Sequence, residues 1–480
     1  MKIALVYIPA NQSMPLGLAY LSSVLKREDF KVCFFNLVNF NDKTCLDDVY
    51  KFGPDVVGYS VITGTQKLYL NFNEKLKKRL KNITSVVGGP HPTFSPEIIH
   101  EKGVDAVCIG ESENAFLHFM KKFRAKGTLP KRAPNFWIKY NGEISKSSLL
   151  PLITDLDSIP YPDREGYFKV DKFVGEFARR SFIASRGCPY KCTYCFNESF
   201  NKLYSNKNIL RFRSPESVCD EIIYVSSMFT TKSVYFVDDV FTINKDWIMK
   251  LCEQYRRKVK LPFMCNIRLN NTDDEIIKSL KEAGCAVAII GAESGSEFIR
   301  NEVMKRKMSI DLMLERVKIF HKYKIKLFTE NIIGNPRETY EMALETLRLN
   351  QKINPQFANA SLFTPYPKLA ATNFAIENKL FDANPELISS NYFSDSLLKF
   401  KNGEGEKNRL LNLRCFFSFL VKFQRYEKIV ISLFINIKHN NVFRFFGKVV
   451  DGYYAFKCLP HKLTFAEIFK MLKQYLFMPR

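Results

Sequence analysis

Short apolar runs alternate with amphipathic helical patterns along most of this chain, and this alternation constrains the fold more than any other feature. Continuous apolar strands separated by helices indicate parallel sheets that are covered by helices on both faces. In the amino-terminal part, the strand–helix units predict a doubly wound, flavodoxin-like domain over residues 1–127. Its strands are predicted at 2–8, 31–37, 55–61, 85–89 and 105–110.

A second series of strands follows a connector at residues 128–180, in which Asn141-Gly142 predicts a hairpin with a type I′ turn. This series predicts an incomplete barrel of the (β/α)6 kind over residues 181–372, with a helical region at 373–480. Such a barrel places its chemistry on loops at the carboxyl ends of its strands. The strands are predicted at 181–185, 233–238, 262–268, 286–291, 326–333 and 357–363.

The carboxyl ends of the amino-terminal strands are where a doubly wound domain binds its ligands. Small residues and glycines in these loops allow a large, flat ligand to approach the backbone, although each glycine taken alone also fits a tight turn. The loops read PANQSMP (9–15), SVITGT (60–65), GGPHPT (88–93) and GES (110–112).

The opening MKIALVYIPA is typical of a buried strand and not of a signal peptide, since its apolar run stops at Pro9 and no cleavage site follows. We therefore expect a cytoplasmic protein whose twelve cysteines stay reduced. In that setting, metal binding or catalysis explains a tight cysteine cluster better than disulfides do. No apolar run reaches about 18 residues, so a membrane-spanning helix is not expected.

Three cysteines, Cys188, Cys192 and Cys195, crowd into SRGCPYKCTYCFN directly after the first predicted barrel strand. A structural zinc site takes four protein ligands, commonly in two separated pairs, and no second pair follows here. A 4Fe–4S cluster is held by thiolates, and three of them on one loop can cap three irons while the fourth iron stays open. The residues favour an iron–sulfur cluster, with zinc and chance spacing as the alternatives.

Cys-x-x-x-Cys-x-x-Cys, with Tyr194 just before its last cysteine, resembles the signature of radical S-adenosylmethionine (SAM) enzymes. The resemblance implies that the open iron chelates the amino and carboxylate groups of SAM. An electron from the cluster, supplied by a donor such as flavodoxin or ferredoxin, then cleaves the sulfonium and produces a 5′-deoxyadenosyl radical. The barrel of such an enzyme supplies positioning and exclusion of water while the cofactor carries the difficult chemistry.

Further strand ends of the predicted barrel resemble segments that contact SAM in this family. GAESGS (291–296) is similar to the segment after the fourth strand, and VDDVF (237–241) supplies polar groups after the second. IIGNPRET (332–339) is similar to a segment after the fifth strand, with Arg337 where glycine is usual. A purely structural role is the alternative for the acidic pair and for Arg268. The SAM contacts implied by the resemblance are Tyr194, Asp238, Asp239, Arg268, Gly291, Glu293 and Ser294.

A flavodoxin-like domain ahead of such a barrel resembles the cobalamin-binding subclass, and segments such as SMPLGLAYLSSVLK (13–26) and VVGGPHPTFSPEII (86–99) carry the resemblance. The loop after the first strand lacks the histidine of an Asp-x-His-x-x-Gly motif. We therefore expect cobalamin to bind without a histidine ligand, with His91 supporting its own loop; a domain that has lost the cofactor is the alternative. The implied cobalamin contacts are Ser60, Thr63, Gly88, Gly89 and Gly110.

Taken together, the resemblances imply a cobalamin-dependent radical SAM methyltransferase that acts on an unactivated carbon of a small or lipid-like molecule. In that scheme one SAM supplies the substrate radical, and methylcobalamin, recharged by another SAM, delivers the methyl group. One alternative is a radical SAM cyclase or rearrangement enzyme, with or without cobalamin. An RNA-modifying radical SAM enzyme is disfavoured, because Cys33, Cys45 and Cys108 do not match the positions of a second cluster.

The carboxy-terminal region carries an excess of basic and aromatic residues. From Lys407 to Arg480 there are 14 Lys and Arg against 3 Asp and Glu, a net of +11 from 14 − 3 within a total of +23, and 12 of the 43 Phe. Interleaved aromatic and basic residues on helices suit the surface of an anionic membrane. The alternatives are a helical subdomain that packs its Phe residues onto the barrel, and contact with nucleic acid, for which no binding motif is present.

Overall fold

This computed structural model describes residues 1–480 except 9–13, 38–42, 385–386, 389–392, 394, 465–466, 470 and 472–480. The predicted strand-end loop PANQSMP therefore lies mostly outside the described residues. The chain forms two compact units, Met1–Phe177 with Phe200–Ile209, and Ala178–Ser199 with Leu210–Arg480.

The first unit contains a sheet of seven strands in the order β2-β1-β3-β4-β5-β6-β7, of which the first five run parallel. The order 2-1-3-4-5 is that of flavodoxin-like folds and confirms the predicted doubly wound sheet. Residues 3–7 are all buried, because helices cover both faces of the sheet. The strands are β1 (Lys2–Tyr7), β2 (Lys31–Asn36), β3 (Val56–Ser60), β4 (Thr84–Gly88), β5 (Ala106–Cys108), β6 (Phe136–Tyr140) and β7 (Glu143–Lys146).

Helices alternate with these strands and continue into the connector. The helices are α1 (Leu16–Lys26), α2 (Lys43–Phe52), α3 (Gln66–Arg79), α4 (Pro90–Phe94), α5 (Glu113–Lys126), α6 (Arg164–Val170) and α7 (Lys172–Glu176), with 3-10 turns at Pro96–His100 and Leu156–Ser158. The predicted hairpin is confirmed: β6 and β7 pair antiparallel, and Asn141 and Gly142 have φ angles of 51° and 82°, as a type I′ turn requires. The hairpin also extends the first sheet, since β6 pairs with β5.

The second unit is built on six parallel strands in the order β15-β14-β13-β12-β11-β8, so each strand of the series lies beside the next one along the chain. This sheet confirms the predicted incomplete barrel. A buried apolar cluster packs the strands against the surrounding helices. The strands are β8 (Arg179–Phe182), β11 (Ser233–Phe236), β12 (Phe263–Ile267), β13 (Cys285–Glu293), β14 (Lys326–Ile333) and β15 (Phe357–Leu362), and a small antiparallel pair consists of β9 (Ser185–Arg186) and β10 (Arg211–Phe212).

The helices that follow these strands complete the unit. They are α8 (Phe196–Leu203), α9 (Pro215–Met228), α10 (Lys245–Lys258), α11 (Asp274–Ala283), α12 (Ile310–Lys322), α13 (Tyr340–Ile353), α14 (Ala370–Glu377), α15 (Gly403–Lys422), α16 (Glu427–Val430) and α17 (Asn441–Lys457), with π-helical turns at Phe298–Val303 and Ile431–Ile435 and 3-10 turns at Leu269–Asn271 and Gln424–Tyr426. No helix among the described residues combines the length and the apolar character that crossing a bilayer requires.

The inner face of the barrel sheet is only partly covered. On β14, Leu327 and Ile333 are buried in clusters shared with the helices, whereas the alternate residues Phe328, Glu330 and Ile332 are partly exposed. Side chains alternate across a strand, so the partly exposed set faces the barrel interior. In closed eight-stranded barrels, layers of side chains fill this space. Here the inner face of β14 keeps partly exposed side chains.

The last barrel strand, β15, is covered by the carboxy-terminal helices. The Ser418 hydroxyl on α15 donates to the Ala358 carbonyl at 2.7 Å, and Arg414 Nε donates to the Ala360 carbonyl at 3.4 Å. Arg414 Nη2 also pairs with Asp451 of α17 at 3.0 Å in a buried site. Covering the edge of a sheet in this way protects it from pairing with another chain.

Candidate functional site

The three cysteines of the cluster motif lie on the loop between β9 and α8, at the carboxyl end of the first barrel strand. Cys188 and Cys192 are buried and Cys195 is half-buried. The loop is anchored through Thr193, whose N–H donates to the Met304 carbonyl at 3.1 Å and whose hydroxyl donates to the Val303 carbonyl at 2.6 Å. The loop is therefore held in place by the second unit itself.

Burial raises the pKa of the Cys188 thiol to about 11 and that of Cys195 to about 12, and the neighbouring Asp239 carboxylate contributes to both shifts. The Cys188 and Cys192 thiols both act electrostatically on Cys195, which places the three cysteines in one group. Thiolates are the species that bind iron, so loading a metal here releases protons.

Two N–H donors point at the cysteine sulfurs. Arg268 Nη1 lies 3.4 Å from Cys192 Sγ, and Asn197 Nδ2 lies 3.6 Å from Cys195 Sγ. The Arg268 guanidinium also lies over the ring of Tyr190, 3.7 Å from its centroid, and Nη2 donates to the Arg306 carbonyl. Hydrogen bonds to sulfur favour the anionic ligand and tune the potential of an iron–sulfur cluster. These contacts fit a thiolate-bound cluster.

Among the described residues, no three or more His, Cys, Asp and Glu side chains are grouped closely enough to hold one metal ion. In a 4Fe–4S cluster, by contrast, each cysteine binds a different iron. Arg268 Nε and Arg306 Nε, on the two arginines beside this loop, are buried without a hydrogen-bond partner.

The structure separates the two acidic residues that were predicted to contact SAM. The Asp238 carboxylate is buried and accepts hydrogen bonds from the Ala184 and Ser185 N–H groups and from the Ser185 hydroxyl. Burial raises its pKa to about 6, although these hydrogen bonds act in the opposite direction. Asp238 therefore fixes the chain that leads into the cysteine loop. These hydrogen bonds give Asp238 the purely structural role that is the alternative to a contact with SAM.

Asp239 remains accessible to solvent. The protein that surrounds its carboxyl nevertheless raises its pKa, while contacts with the Asn197 side chain and the Gly187 N–H lower it. These contacts place the Asp239 carboxyl next to the cysteine loop, where it acts electrostatically on both Cys188 and Cys195.

At the end of β13, Glu293 and Gly291 form a site with Arg306, which the sequence did not indicate. Arg306 Nη1 lies 3.2 Å from Glu293 Oε1 and donates to the Tyr194 hydroxyl at 2.7 Å, while Nη2 donates to the Gly291 carbonyl. A Cβ atom at Gly291 would lie 2.3 Å from Glu293 Oε1, so a larger residue there would displace the Glu293 carboxylate. Glu293 has a φ of 63°, a strained backbone conformation of the kind that clusters at functional sites. The structure thus brings together Tyr194, Gly291 and Glu293.

Burial disfavours the charged form of Arg306, but Tyr194 and Glu293 outweigh it, so the pKa of Arg306 is raised and the guanidinium stays charged. Arg306 lies between Lys305 and Lys307 in the sequence, and no local pattern distinguishes it from these neighbours. Its role depends on contacts with residues far away in the chain.

Ser294 lies apart from this arrangement. Its hydroxyl is fully buried, lies 3.4 Å from Thr346 Oγ1 and accepts the Ser296 N–H at 3.2 Å. Its carbonyl accepts a hydrogen bond from Arg300 at 3.1 Å. These contacts stabilise the turn after β13, and the contact of Ser294 with SAM stays a prediction.

Arg337, which stands where glycine is usual, adopts a φ of 66°. The loop after β14 therefore keeps a left-handed conformation that glycine would adopt without strain. Next to it, the Glu338 carboxylate accepts the N–H and the side-chain amide of Asn335, both at 2.8 Å. Arg337 therefore stands where glycine is usual, and its backbone lies in the left-handed region that glycine favours.

In the first unit, a largely apolar cavity of about 360 Å³ lies at the carboxyl ends of the parallel strands. Of the residues predicted to contact cobalamin, Ser60, Gly88 and Gly89 line it. Gly89 has a φ of 100°, and a Cβ there would lie 2.9 Å from the Val61 nitrogen, so the position requires glycine. The remaining lining residues are Leu5, Pro15, Gly17, Leu18, Leu21, Gly58, Tyr59, Ile62, Val86, Pro90, Cys108, Ser112 and Phe116.

Thr63 and Gly110 are outside this set of lining residues. The Thr63 hydroxyl lies 3.1 Å from His91 Nδ1, so the two side chains hold their loops together. Gly110 makes room for Tyr204, whose hydroxyl oxygen would lie 2.2 Å from a Cβ at that position and accepts the Glu111 N–H at 2.8 Å. The cavity, with its close glycine backbone, fits part of a large flat cofactor, and His91 contacts a loop as expected.

The inner face of the barrel sheet carries polar groups that the sequence did not indicate. Asn359 Nδ2 donates to Glu330 Oε2 at 2.7 Å, and the Tyr235 hydroxyl lies 3.3 Å from Asn266 Oδ1. Burial raises the pKa of Glu330 to about 7, although the hydrogen bond from Asn359 lowers it. Glu330 lies directly beside Gly291 in the sheet register, close to the end of β13.

Comparison with known proteins agrees with this arrangement. Residues 182–349 match the model of the Radical SAM superfamily, and residues 5–120 match that of the B12 binding domain. An uncharacterized methyltransferase of Pyrococcus horikoshii is 28% identical over 88% of this chain and 93% of its own length. The anaerobic magnesium-protoporphyrin IX monomethyl ester cyclase of Rubrivivax gelatinosus is 25% identical over 74% of this chain and 64% of its own length.

A solved structure shares the fold. The radical SAM methyltransferase TsrM of Kitasatospora setae, determined with cobalamin and a 4Fe–4S cluster bound, aligns with a TM-score of 0.64 and 16% identity over 78% of this chain and 75% of that one.

Proposed function

We propose that this chain, which belongs to the radical SAM superfamily and carries an amino-terminal B12-binding domain, is a cobalamin-dependent methyltransferase that acts on an unactivated carbon of a small or lipid-like molecule. The observation that carries the proposal is the cysteine loop at the carboxyl end of the first barrel strand, with N–H donors from Arg268 and Asn197 on its sulfurs. The Pyrococcus relative, matched over nearly its whole length, supports the methyl-transfer reaction.

When bound, the cluster, SAM and cobalamin supply the one-electron and methyl-transfer chemistry. In this proposal, the three cysteines hold the cluster, and Arg268 positions Cys192 through its hydrogen bond and its stacking on Tyr190. We assign the contacts with SAM to the Asp239 carboxylate beside the cysteine loop and to the end of β13. At the end of β13, Arg306 holds Glu293 and the Gly291 carbonyl in fixed positions.

The open interior of the barrel is the proposed place for the substrate. Its floor is apolar, with Met264, Val287 and Ile289 in one cluster, and its polar groups include Glu330 and Asn359. An apolar floor beside a hydrogen-bonded carboxyl suits a largely apolar molecule that also carries a hydroxyl or amide group. The electron donor in this proposal is a one-electron carrier such as flavodoxin or ferredoxin, and the protein works in the cytoplasm or at the membrane surface.

The test is an anaerobic purification of the full chain, reconstituted with iron, sulfide and cobalamin. The reconstituted enzyme is incubated with SAM that carries a deuterated methyl group, a reductant, and a lipid and small-molecule extract. We expect 5′-deoxyadenosine and S-adenosylhomocysteine, together with a product that has gained the label.

Cys192→Ala should abolish both products and the iron absorption. Cys33→Ser, at an exposed cysteine of the first unit, serves as the matched control and should retain them. If Cys192→Ala retained the cluster and SAM cleavage, the assignment of the site would be wrong.

A second candidate reaction is oxidative cyclisation or rearrangement, which the similarity to the Rubrivivax cyclase favours. The products separate the two reactions. Deoxyadenosine without S-adenosylhomocysteine and without transfer of the label would identify the second reaction and contradict methyl transfer.

A further inference from the structure

We infer that the outer face of α17, together with the segment 429–437 before it, docks on the surface of an anionic lipid bilayer. The inference rests on the proposed function in one respect, since docking on the membrane supplies the route by which an apolar substrate would reach the enzyme. It specifies the membrane contact that was predicted from the composition of the tail.

The outer face of α17 is an apolar stripe. Val442, Phe445, Val449 and Tyr453 have exposed fractions of 73%, 59%, 45% and 51%. Their spacing of three, four and four residues places them on one side of a helix. Large apolar side chains this exposed, and aligned along a helix, mark an interaction surface.

The opposite face of α17 is already used, which fixes the direction of the stripe. Gly447 packs so closely on α15 that a Cβ there would lie 2.9 Å from the Cys415 carbonyl oxygen. Asp451 is buried against Arg414, and Phe443 and Phe446 each lie 5.1 Å from the ring of Phe416. The exposed stripe therefore cannot turn inward without breaking this packing.

The segment before α17 continues the apolar surface. Ile429, Leu433 and Ile437 are exposed by 53%, 56% and 46%. Phe434 links the segment to α17, since its ring lies 6.0 Å from that of Phe443. The two segments are therefore neighbours, and we take their exposed apolar side chains together as the docking surface, which we call the apolar platform: Ile429, Leu433, Phe434, Ile437, Val442, Phe445, Val449 and Tyr453.

The charge around the apolar platform has one sign. Residues 425–457 contain two acidic side chains, and both are engaged elsewhere: Glu427 accepts Gln351 Nε2 at 2.8 Å, and Asp451 is buried against Arg414. Basic residues flank an apolar surface that lacks acidic groups, as expected for a helix that lies in the headgroup region of an anionic membrane. The basic residues are Arg425, Lys428, Lys438, Arg444, Lys448 and Lys457.

Two other occupants fit this surface less well. A second copy of the chain that presented the same face would bring six basic side chains against six, and like charges across an interface oppose association. Nucleic acid is recognised through aromatic stacking between basic residues. The platform is instead mostly aliphatic, with Ile, Leu and Val at five of its eight positions. An anionic bilayer satisfies both the charge and the apolar surface.

The test is flotation of the full chain with liposomes of phosphatidylcholine alone or mixed with phosphatidylglycerol, at low and at high salt. We expect binding to the mixed vesicles at low salt, a several-fold loss at high salt and little binding to the neutral vesicles. The double variant Val442→Glu/Phe445→Glu should lose most of the binding while its thermal unfolding midpoint stays close to that of the wild type. Ile223→Glu, at an exposed position of α9, is the matched control and should bind like the wild type.

Absence of wild-type binding to anionic vesicles at low salt would overturn the inference, and so would full binding by the double variant. If the wild type were a dimer that the double variant dissociates, the platform would be a self-association surface. Formation of deoxyadenosine from SAM is measured on the same preparations. Because docking does not need the cluster, a failure of the proposed chemistry would abolish SAM cleavage and leave flotation intact.

Discussion

Arg268 donates a hydrogen bond to Cys192 Sγ at 3.4 Å, and its guanidinium stacks on Tyr190 of the same loop, 3.7 Å from the ring centroid. One guanidinium thus joins the end of β12 to the loop that carries the cluster ligands. The planar fork and the flat face of arginine are both used, and lysine offers neither.

This contact predicts that Arg268→Gln makes the cluster's reduction potential more negative, because removing a charged N–H donor from a sulfur destabilises the reduced state. SAM cleavage should fall about 10- to 100-fold, the usual cost of losing such a supporting contact. Arg268→Lys should restore the charge but only part of the rate. The measurement is a redox titration followed by electron paramagnetic resonance. Arg256→Lys, at an exposed position of α10, is the control, and an unchanged potential in Arg268→Gln would refute the role.

Glu330→Gln tests the carboxyl in the barrel interior through stability. Burial raises the pKa of Glu330 to about 7, whereas an unfolded glutamate titrates near about 4.3. Between these values the folded state binds more protons, so this residue makes the free energy of unfolding fall as pH rises from about 4.5 to about 7, with no further change above that range. Glutamine removes the effect. Relative to the wild type, the variant should therefore be more stable at pH 8 than at pH 5 in urea unfolding. A difference independent of pH would contradict the assignment.

Arg337 tests the backbone of the loop after β14. A side chain at a φ of 66° costs about 1–2 kcal/mol, and glycine relieves this while losing about 0.5–1 kcal/mol to the entropy of the unfolded chain. Arg337→Gly should therefore raise the free energy of unfolding by up to about 1.5 kcal/mol. Arg337→Ala removes the same side chain but keeps the Cβ, so it is the matched control. Equal stabilities for the Gly and Ala variants would show that the backbone is not strained there.

His91→Ala tests whether cobalamin binds without a histidine ligand. Its ring contacts Thr63, and burial lowers its pKa, which keeps the ring neutral. We expect the variant to retain cobalamin at the wild-type stoichiometry after gel filtration, with an unchanged absorption spectrum. Gly89→Val, which would push a side chain against Val61, should lose the cofactor. Loss of the lower-ligand signature in His91→Ala would disprove histidine-free binding.

The three-dimensional contacts separate residues that are neighbours in the predicted motifs. Asp238 and Asp239 are adjacent and chemically equal, yet one is bound by the backbone at Ala184 and Ser185 and the other is exposed beside the cysteine loop. Ser294 lies one residue from Glu293 but faces Thr346 on α13. These residues lie at or just beyond the ends of β11 and β13, where the turn of the backbone sets the direction of each side chain. Neighbours in a motif therefore meet different surroundings, and the motif alone does not reveal which one faces the site.

The sequence by itself determined the two parallel sheets, the hairpin at Asn141-Gly142, and the cysteine loop after the first barrel strand. Periodicity, turn chemistry and ligand spacing are local properties, and each is complete within a few residues. Only the tertiary structure decided that Arg306 joins Tyr194 to Glu293, that Glu330 lies on the inner face of the barrel sheet, and that the stripe on α17 points outward. Each of these depends on contacts between residues distant in the chain, such as the 112 positions that separate Arg306 from Tyr194, and packing selects such contacts only once the whole fold has formed.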